Sequence, residues 1–306
     1  MIRTLPFRAM GCQMMAAIDS DGLQLDRRLS SVPDWFEGWE QSLSRFRPDS
    51  ELSELNRHAG EPWPVSLTLW RVFLAARHAQ ERSHGLVTPC VLEALIQAGY
   101  DRSFAEIAPV GEPVDKPTRP VFIGSILADE TAHTICLPPG VGLDFGGVAK
   151  GWAAQQAVQK LHAYGPALID AGGDIAVSGR QRDGSPWAIG IADPFQPESI
   201  LGILLLSGGG VATSGIDYRR WRRDGTWQHH IIDPRTGAPT DTDLLSVTVI
   251  GASVIEAEIA AKVVLILGSQ DGLAWLVAQA GLDGILIKQD KQQIKTANFD
   301  NYLLRS

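Results

Sequence analysis

Two glutamates and a lysine interrupt an otherwise apolar run, VIEAEIAAKVVL, at Val254–Leu265. Glu258 and Lys262 are four residues apart, so on a helix they share one face. A carboxylate and an ammonium in apolar surroundings form either an ordinary ion pair at a helix end or a pair that acts on a ligand. The segment alone leaves both readings open.

A second candidate is GLDFGGVAKGWAA at Gly142–Ala154. A strand is expected to end near Asp144 or Phe145, with a tight turn at Gly146 and Gly147. A helix then starts at Val148 and carries Lys150. Free N–H groups at such a start meet phosphate oxygens, and Lys150 adds positive charge. Asp144 can position the turn or face a metal. The plain alternative is a strand–helix connection with one solvated lysine. The glycine order is neither that of a P-loop nor the dinucleotide fingerprint.

LIDAGGDIAVSG at Leu168–Gly179 places Asp170 and Asp174 around Gly172 and Gly173. These glycines permit close ligand approach or serve a structural turn. Farther on, Thr213 and Ser214 offer hydroxyls beside Gly215, followed by Asp217 and Tyr218. His230, Asp233 and Thr236 return after a hairpin-like excursion. Such groups can order a substrate by charged and neutral hydrogen bonds. His230 suits acid–base work near neutral pH or a hydrogen-bonded structural role. The basic run Arg219–Arg223 around Trp221 reads as a solvated hairpin, and no Ser–His–Asp assembly is evident.

The elements that must position these groups alternate along the chain. A first strand is expected over 7–18, then a helical region at 25–46 interrupted near Pro33. A short helix follows Asp49 or Ser50 as cap, and a longer one spans SLTLWRVFLAARHAQERSHG with Gly85 as its stop. Residues 105–120 are rich in Pro and charge and read as an exposed excursion. Strand-like pieces recur at TICL, PALIDA, WAIGIA, LGILLLSG, LLSVTVIG and GILIK. Helices are expected at VAKGWAAQQAVQKLHAYG, SVIEAEIAAKVVLILG and DGLAWLVAQAG. The chain reads as a mixed α/β or α+β architecture. Trp35, Phe36 and Trp39 form a stripe suited to core packing.

A net charge of -8 gives no basic footprint for nucleic acid, and a 44% hydrophobic content supports a sizeable core. Cys12, Cys90 and Cys136 lie far apart, which argues against a disulfide framework or a metal cluster. No transmembrane segment, leader or lipobox is read from the sequence. A cytoplasmic location is therefore expected, and a periplasmic one if the sequence lacks a natural leader.

The ordered set of blocks resembles the ApbE family, the FAD:protein FMN transferases. It runs from AMGCQM through LSRFRPDSELSELN and GLVTPCVLEALIQAGYDRSF. It continues in LDFGGVAKGWA, LIDAGGDI, VATSGIDY and HHIIDPRTGAP and ends in SVTVIGASVIEAEIAAKVVLILG. The resemblance implies one α+β flavin transferase domain over 1–306. It also implies FAD as substrate, magnesium at the FAD pyrophosphate, and a flavin-acceptor protein whose Ser or Thr hydroxyl receives FMN as AMP leaves.

By the same resemblance, FAD contacts fall on Met10, Gly11, Glu51, Asp144, Gly146, Gly147, Lys150, Gly172 and Gly173. Further contacts fall on Thr213, Ser214, Gly215, Tyr218, His230 and Lys262. Glu258, His230 and Asp233 are the catalytic candidates, and the Gly147 carbonyl with Glu258 the metal candidates. The family segment resembled by Val254–Leu265 carries Asp and Thr as metal ligands, where this chain has Glu258 and Lys262. Thr88 and Cys90 stand where the family has Asp and Thr, Gln155 where an Asp is frequent, and Cys12 where a Thr is usual. Two alternatives follow from these departures: a metal-poor FAD-binding or sensing homologue, and an FAD pyrophosphatase giving FMN and AMP.

Overall fold

The computed structural model describes residues 1–22, 25–107, 123–223 and 225–305. Most of the excursion expected at 105–120 lies outside these residues. The chain divides into two compact units, one of residues 1–36, 150–217 and 242–306, the other of residues 37–149 and 218–241. Helices and antiparallel sheets together make the α+β class expected from the sequence.

The first unit is built on an eight-stranded antiparallel sheet. Its spatial order is Ile2–Ala9, Cys12–Asp19, Ala167–Asp170, Asp174–Val177, Gly209–Gly215, Leu244–Gly251, Asp283–Lys288 and Gln293–Lys295. The strand expected over 7–18 is in fact two. Met10 and Gly11 both have positive φ (48° and 68°), and Ala9 pairs with Cys12. A two-residue turn of that hand matches the twist of a hairpin, so the chain reverses there.

Side-chain alternation separates the faces of this sheet. Ile175, Val177, Val211, Ile250, Ile285 and Ile287 pack against Trp187, Ile189, Ile191 and Leu204. The latter four belong to a hairpin of strands Trp187–Asp193 and Gln196–Leu206. The intervening positions, including Ala176, Val249 and Leu286, point to the opposite face and are also buried. Helix Val254–Val277 packs on that face. The approach is close: a Cβ at Gly210 would lie 2.4 Å from the Val254 Cα.

Gly268, at φ 82°, breaks this helix into the two runs expected from the sequence. Asp243 accepts from the Ser269 N–H and hydroxyl at the break. The helix is long and apolar enough for a membrane span. Ala257, Ala260, Ala261 and Val264 are fully buried within the protein, however, which makes it a core helix.

The second unit contains helices Glu51–Arg57, Leu67–Arg82 and Leu92–Gln97 and a three-stranded sheet of Pro62–Pro64, Thr134–Cys136 and Leu127–Asp129. Ser50 and Ser66 cap the first two helices through their side-chain oxygens. Strands Arg220–Arg223 and Thr226–His229 form the expected hairpin. Its Trp221 is buried among Leu95, Ala98 and Tyr100 and donates its indole N–H to the Ala98 carbonyl at 2.9 Å.

Candidate functional site

In the first unit, four charged side chains meet on the helix-bearing side of the sheet. Asp174 opens a strand, Lys150 lies in the first turn of helix Ala149–His162, and Glu258 and Lys262 lie one turn apart on the core helix. Lys150 pairs with Asp174, and its Nζ lies 3.9 Å from Glu258 Oε1. Lys262 Nζ donates to the same Oε1 at 3.1 Å. The other Glu258 oxygen accepts the Gly151 N–H at 3.2 Å. The carboxylate thus engages one of the helix-start donors that the sequence offered to phosphate.

Glycine at 151 is required by this approach, since a Cβ there would lie 2.4 Å from Glu258 Oε2. Glu258 itself is 1% exposed. Burial raises its pKa, the Lys262 charge opposes that shift, and the Asp174 charge adds to it. For Lys150, burial works against the charged form, but Asp174 and Glu258 outweigh it and raise the pKa. Asp170, close by in sequence, has its pKa raised chiefly by burial and accepts the Gly173 N–H at 2.8 Å. Gly172 and Gly173 take positive φ (71° and 96°), and a Cβ on Gly172 would strike the Cys12 side chain.

Thr213 and Ser214 point to opposite sides of their strand. The Thr213 hydroxyl is 2.8 Å from that of Thr248 across the sheet, while Ser214 is buried. Gly215 closes the strand, where a Cβ would lie 2.4 Å from Asp217 Oδ1. Met10 and Gly11 form the hairpin turn of the same unit.

In the second unit, the glycine loop is fixed by side chains distant in sequence. Arg45 donates to Asp144 Oδ2 at 2.5 Å and to the Tyr100 carbonyl at 2.6 Å. Asp144 Oδ1 accepts the Gly146 N–H at 2.7 Å, so Asp144 shapes the turn ahead of Gly147. Asn56 holds both backbone groups of Leu143. Glu51 accepts from the Ser66 N–H and hydroxyl and so braces the helix that Ser66 caps.

Asp233 is buried and clasped by Arg235, which donates its backbone N–H at 2.8 Å and three guanidinium bonds. His230 is half-buried, and Tyr218 is 77% exposed. The adjacent His229 has a plainly structural role. Its Nδ1 accepts the Ile231 N–H, so Nε2 faces the Thr240 carbonyl as the donor, at 3.0 Å.

Among the sequence-derived site residues, the structure therefore joins Lys150, Glu258 and Lys262. Asp174 and Arg45 are the members of these networks that most change the reading of the site. Asp174 was legible only as a flank of a glycine turn, and Arg45 as one basic residue in a helical region. The pairing of each spans too much sequence for a local pattern to reveal.

The resemblance to ApbE proteins implies magnesium, which takes oxygen ligands in octahedral geometry at about 2.0–2.1 Å. Here both oxygens of Glu258 already have protein donors, and the Lys262 ammonium stands at the position for which the resemblance implies a second oxygen ligand. Among the described residues, no group of three or more His, Cys, Asp or Glu side chains is placed to hold a metal ion. The Glu258–Lys262 pair does not fit magnesium.

Comparison with known proteins places the chain in a family. Residues 10–286 match the family model described as "ApbE family". A Treponema pallidum protein named FAD:protein FMN transferase is 33% identical over 273 residues, covering 83% of this chain and 75% of the relative. A Klebsiella pneumoniae protein of the same name is 30% identical over 270 residues, covering 84% and 80%. Among solved structures, the flavin transferase ApbE from Vibrio cholerae superposes with a TM-score of 0.80 at 25% identity, covering 99% of both chains. The fold is also that of the ApbE protein from Thermotoga maritima, with a TM-score of 0.88 at 22% identity and full coverage of both. The chain belongs to the ApbE family.

Proposed function

We propose that this protein transfers FMN from FAD to a Ser or Thr hydroxyl of an acceptor protein. The acceptor oxygen forms a bond to the FMN-side phosphorus. The phosphorus–oxygen bond to AMP breaks, and AMP leaves with the bridging oxygen. The observation that carries this reading is the buried cluster of Lys150, Asp174, Glu258 and Lys262 in a chain of this family.

Each member has a physical role in the proposal. The ammonium groups of Lys150 and Lys262 offset charge at the diphosphate in a site poor in water, where such charges act most strongly. Asp174 keeps Lys150 charged and in place. Lys262 turns from Glu258 Oε1 to the diphosphate, and the oxygen it leaves receives the hydroxyl proton, a role suited by a pKa that burial raises. The acceptor protein is a partner of this reaction, and FAD its flavin substrate.

The test combines purified protein, FAD and a flavin-acceptor domain, with mass analysis of the products. Covalent FMN on the acceptor with one AMP released per transfer is the expected result. Free FMN with AMP would assign hydrolysis instead. Bound FAD with neither product, across magnesium, manganese and chelator, would overturn the transferase reading in favour of a binding role.

A further inference from the structure

Glu258 and Lys262 depart from a metal site in a specific way. Lys262 is not a surface residue swung inward, since its side chain is only 14% exposed and that of Glu258 is 1%. The four charges of Lys150, Asp174, Glu258 and Lys262 sum to zero, so each buried carboxylate already has a cation. A divalent ion at Glu258 would have to displace the Lys262 ammonium from 3.1 Å and the Gly151 N–H from 3.2 Å. It would also bring two further positive charges beside two lysines, against unfavourable Coulomb energy. On the Gly151 side the backbone abuts the carboxylate, where a Cβ would lie 2.4 Å from Oε2.

We propose that Lys262 is a built-in cation of this site, so that the protein binds the FAD diphosphate without a divalent ion at Glu258. The inference rests on the FAD reading above and deepens it. An ammonium supplies one charge and three donors but no Lewis-acid coordination. Diphosphate binding here is therefore insensitive to chelator. Replacing Lys262 with an oxygen-bearing residue removes the internal cation and supplies a ligand beside Glu258, which opens the position to metal.

The experiment has two binding readouts, neither requiring transfer. Flavin fluorescence measures FAD affinity in EDTA and in magnesium. Electron paramagnetic resonance of free Mn2+ measures ion uptake with and without FAD. The wild type is expected to bind FAD within about twofold in either buffer and to take up no Mn2+ that depends on Glu258. Lys262→Thr is expected to lose roughly 10- to 100-fold in FAD affinity in EDTA, the scale of one charge-assisted contact. It should recover with magnesium and gain Mn2+ uptake that Glu258→Gln abolishes. Lys262→Arg, which keeps the charge, should remain insensitive to chelator.

Wild-type Mn2+ uptake lost in Glu258→Gln would overturn the proposal. So would a Lys262→Thr variant whose FAD affinity in EDTA equals that of wild type, since Lys262 would then be a structural ion pair only. If Lys262→Thr does not fold, the wild-type arms and Lys262→Arg still decide. Failure of FAD to bind under every condition would overturn the flavin reading itself, and this inference with it.

Discussion

Replacing Gly151 by alanine tests the contact on which the cluster is built. The added Cβ would lie 2.4 Å from Glu258 Oε2, against about 3.4 Å for ordinary contact, so the oxygen must retreat by about 1 Å. The Gly151 N–H···Oε2 bond starts at 3.2 Å and has no slack for that retreat. Losing a hydrogen bond to a charged, buried acceptor costs about 1.5–3 kcal/mol. Alanine returns at most about 1 kcal/mol through helix propensity. The net expectation is a loss of about 0.5–2 kcal/mol, read as a fall in Tm of roughly 1–3 °C for a chain of this size.

Shortening the carboxylate supplies the control. Glu258→Asp withdraws the oxygen by about one methylene, so it should lower stability in the wild type by leaving the Gly151 N–H and Lys262 poorly matched. In the Gly151→Ala background the same change removes the clash, and its cost should shrink or reverse. The assay is thermal unfolding of wild type, both single variants and the double variant, treated as a mutant cycle. A Gly151→Ala protein as stable as wild type, or additive effects in the double variant, would refute the close approach.

Arg45→Lys should loosen the glycine loop by about 1–3 kcal/mol, because lysine cannot hold the Asp144 carboxylate and the Tyr100 carbonyl with one planar group; hydrogen exchange at 143–147 reads the effect. Burial lowers the pKa of His229 below its ordinary 6.5. Its neutral form therefore contributes stability above pH 6.5, and that contribution is lost as pH falls through the lower folded value, with a slope of at most about 1.4 kcal/mol per pH unit. His229→Gln should flatten that part of the stability–pH curve relative to wild type. Burial pushes the Cys90 thiol up to about 11, so at pH 8 it should react with a thiol reagent far more slowly than Cys12 and Cys136, which are partly exposed, until the protein unfolds.

Local chemistry in the sequence determined much of the architecture. The break of the core helix is readable at Gly268, a cap at Asp49 or Ser50, of which Ser50 serves, and a helix start just after the Gly146–Gly147 turn. Each depends on residues a few positions apart, where backbone conformation is set by the residue itself and its neighbours. The single strand expected over 7–18 fails at Met10 and Gly11, whose positive φ reverses the chain. The pairing of Glu258 with Lys262 was also legible, since a helix puts residues four apart on one face.

Tertiary structure alone decided what those charges do. Sheet order brings Asp174 to Lys150, and helix packing brings Gly151 to Glu258, 107 residues away. For Asp144 the sequence leaves open a turn role or a metal-facing one; its Oδ1 accepts the Gly146 N–H, and Arg45, 99 residues earlier, holds its other oxygen. Glu51 and Asp233 likewise find partners in Ser66 and Arg235. A buried charge must be matched by whichever opposite charge or donor the packed layers bring within reach. The sequence names the carboxylates and ammonium groups, but the assembly of sheet and helices chooses their partners.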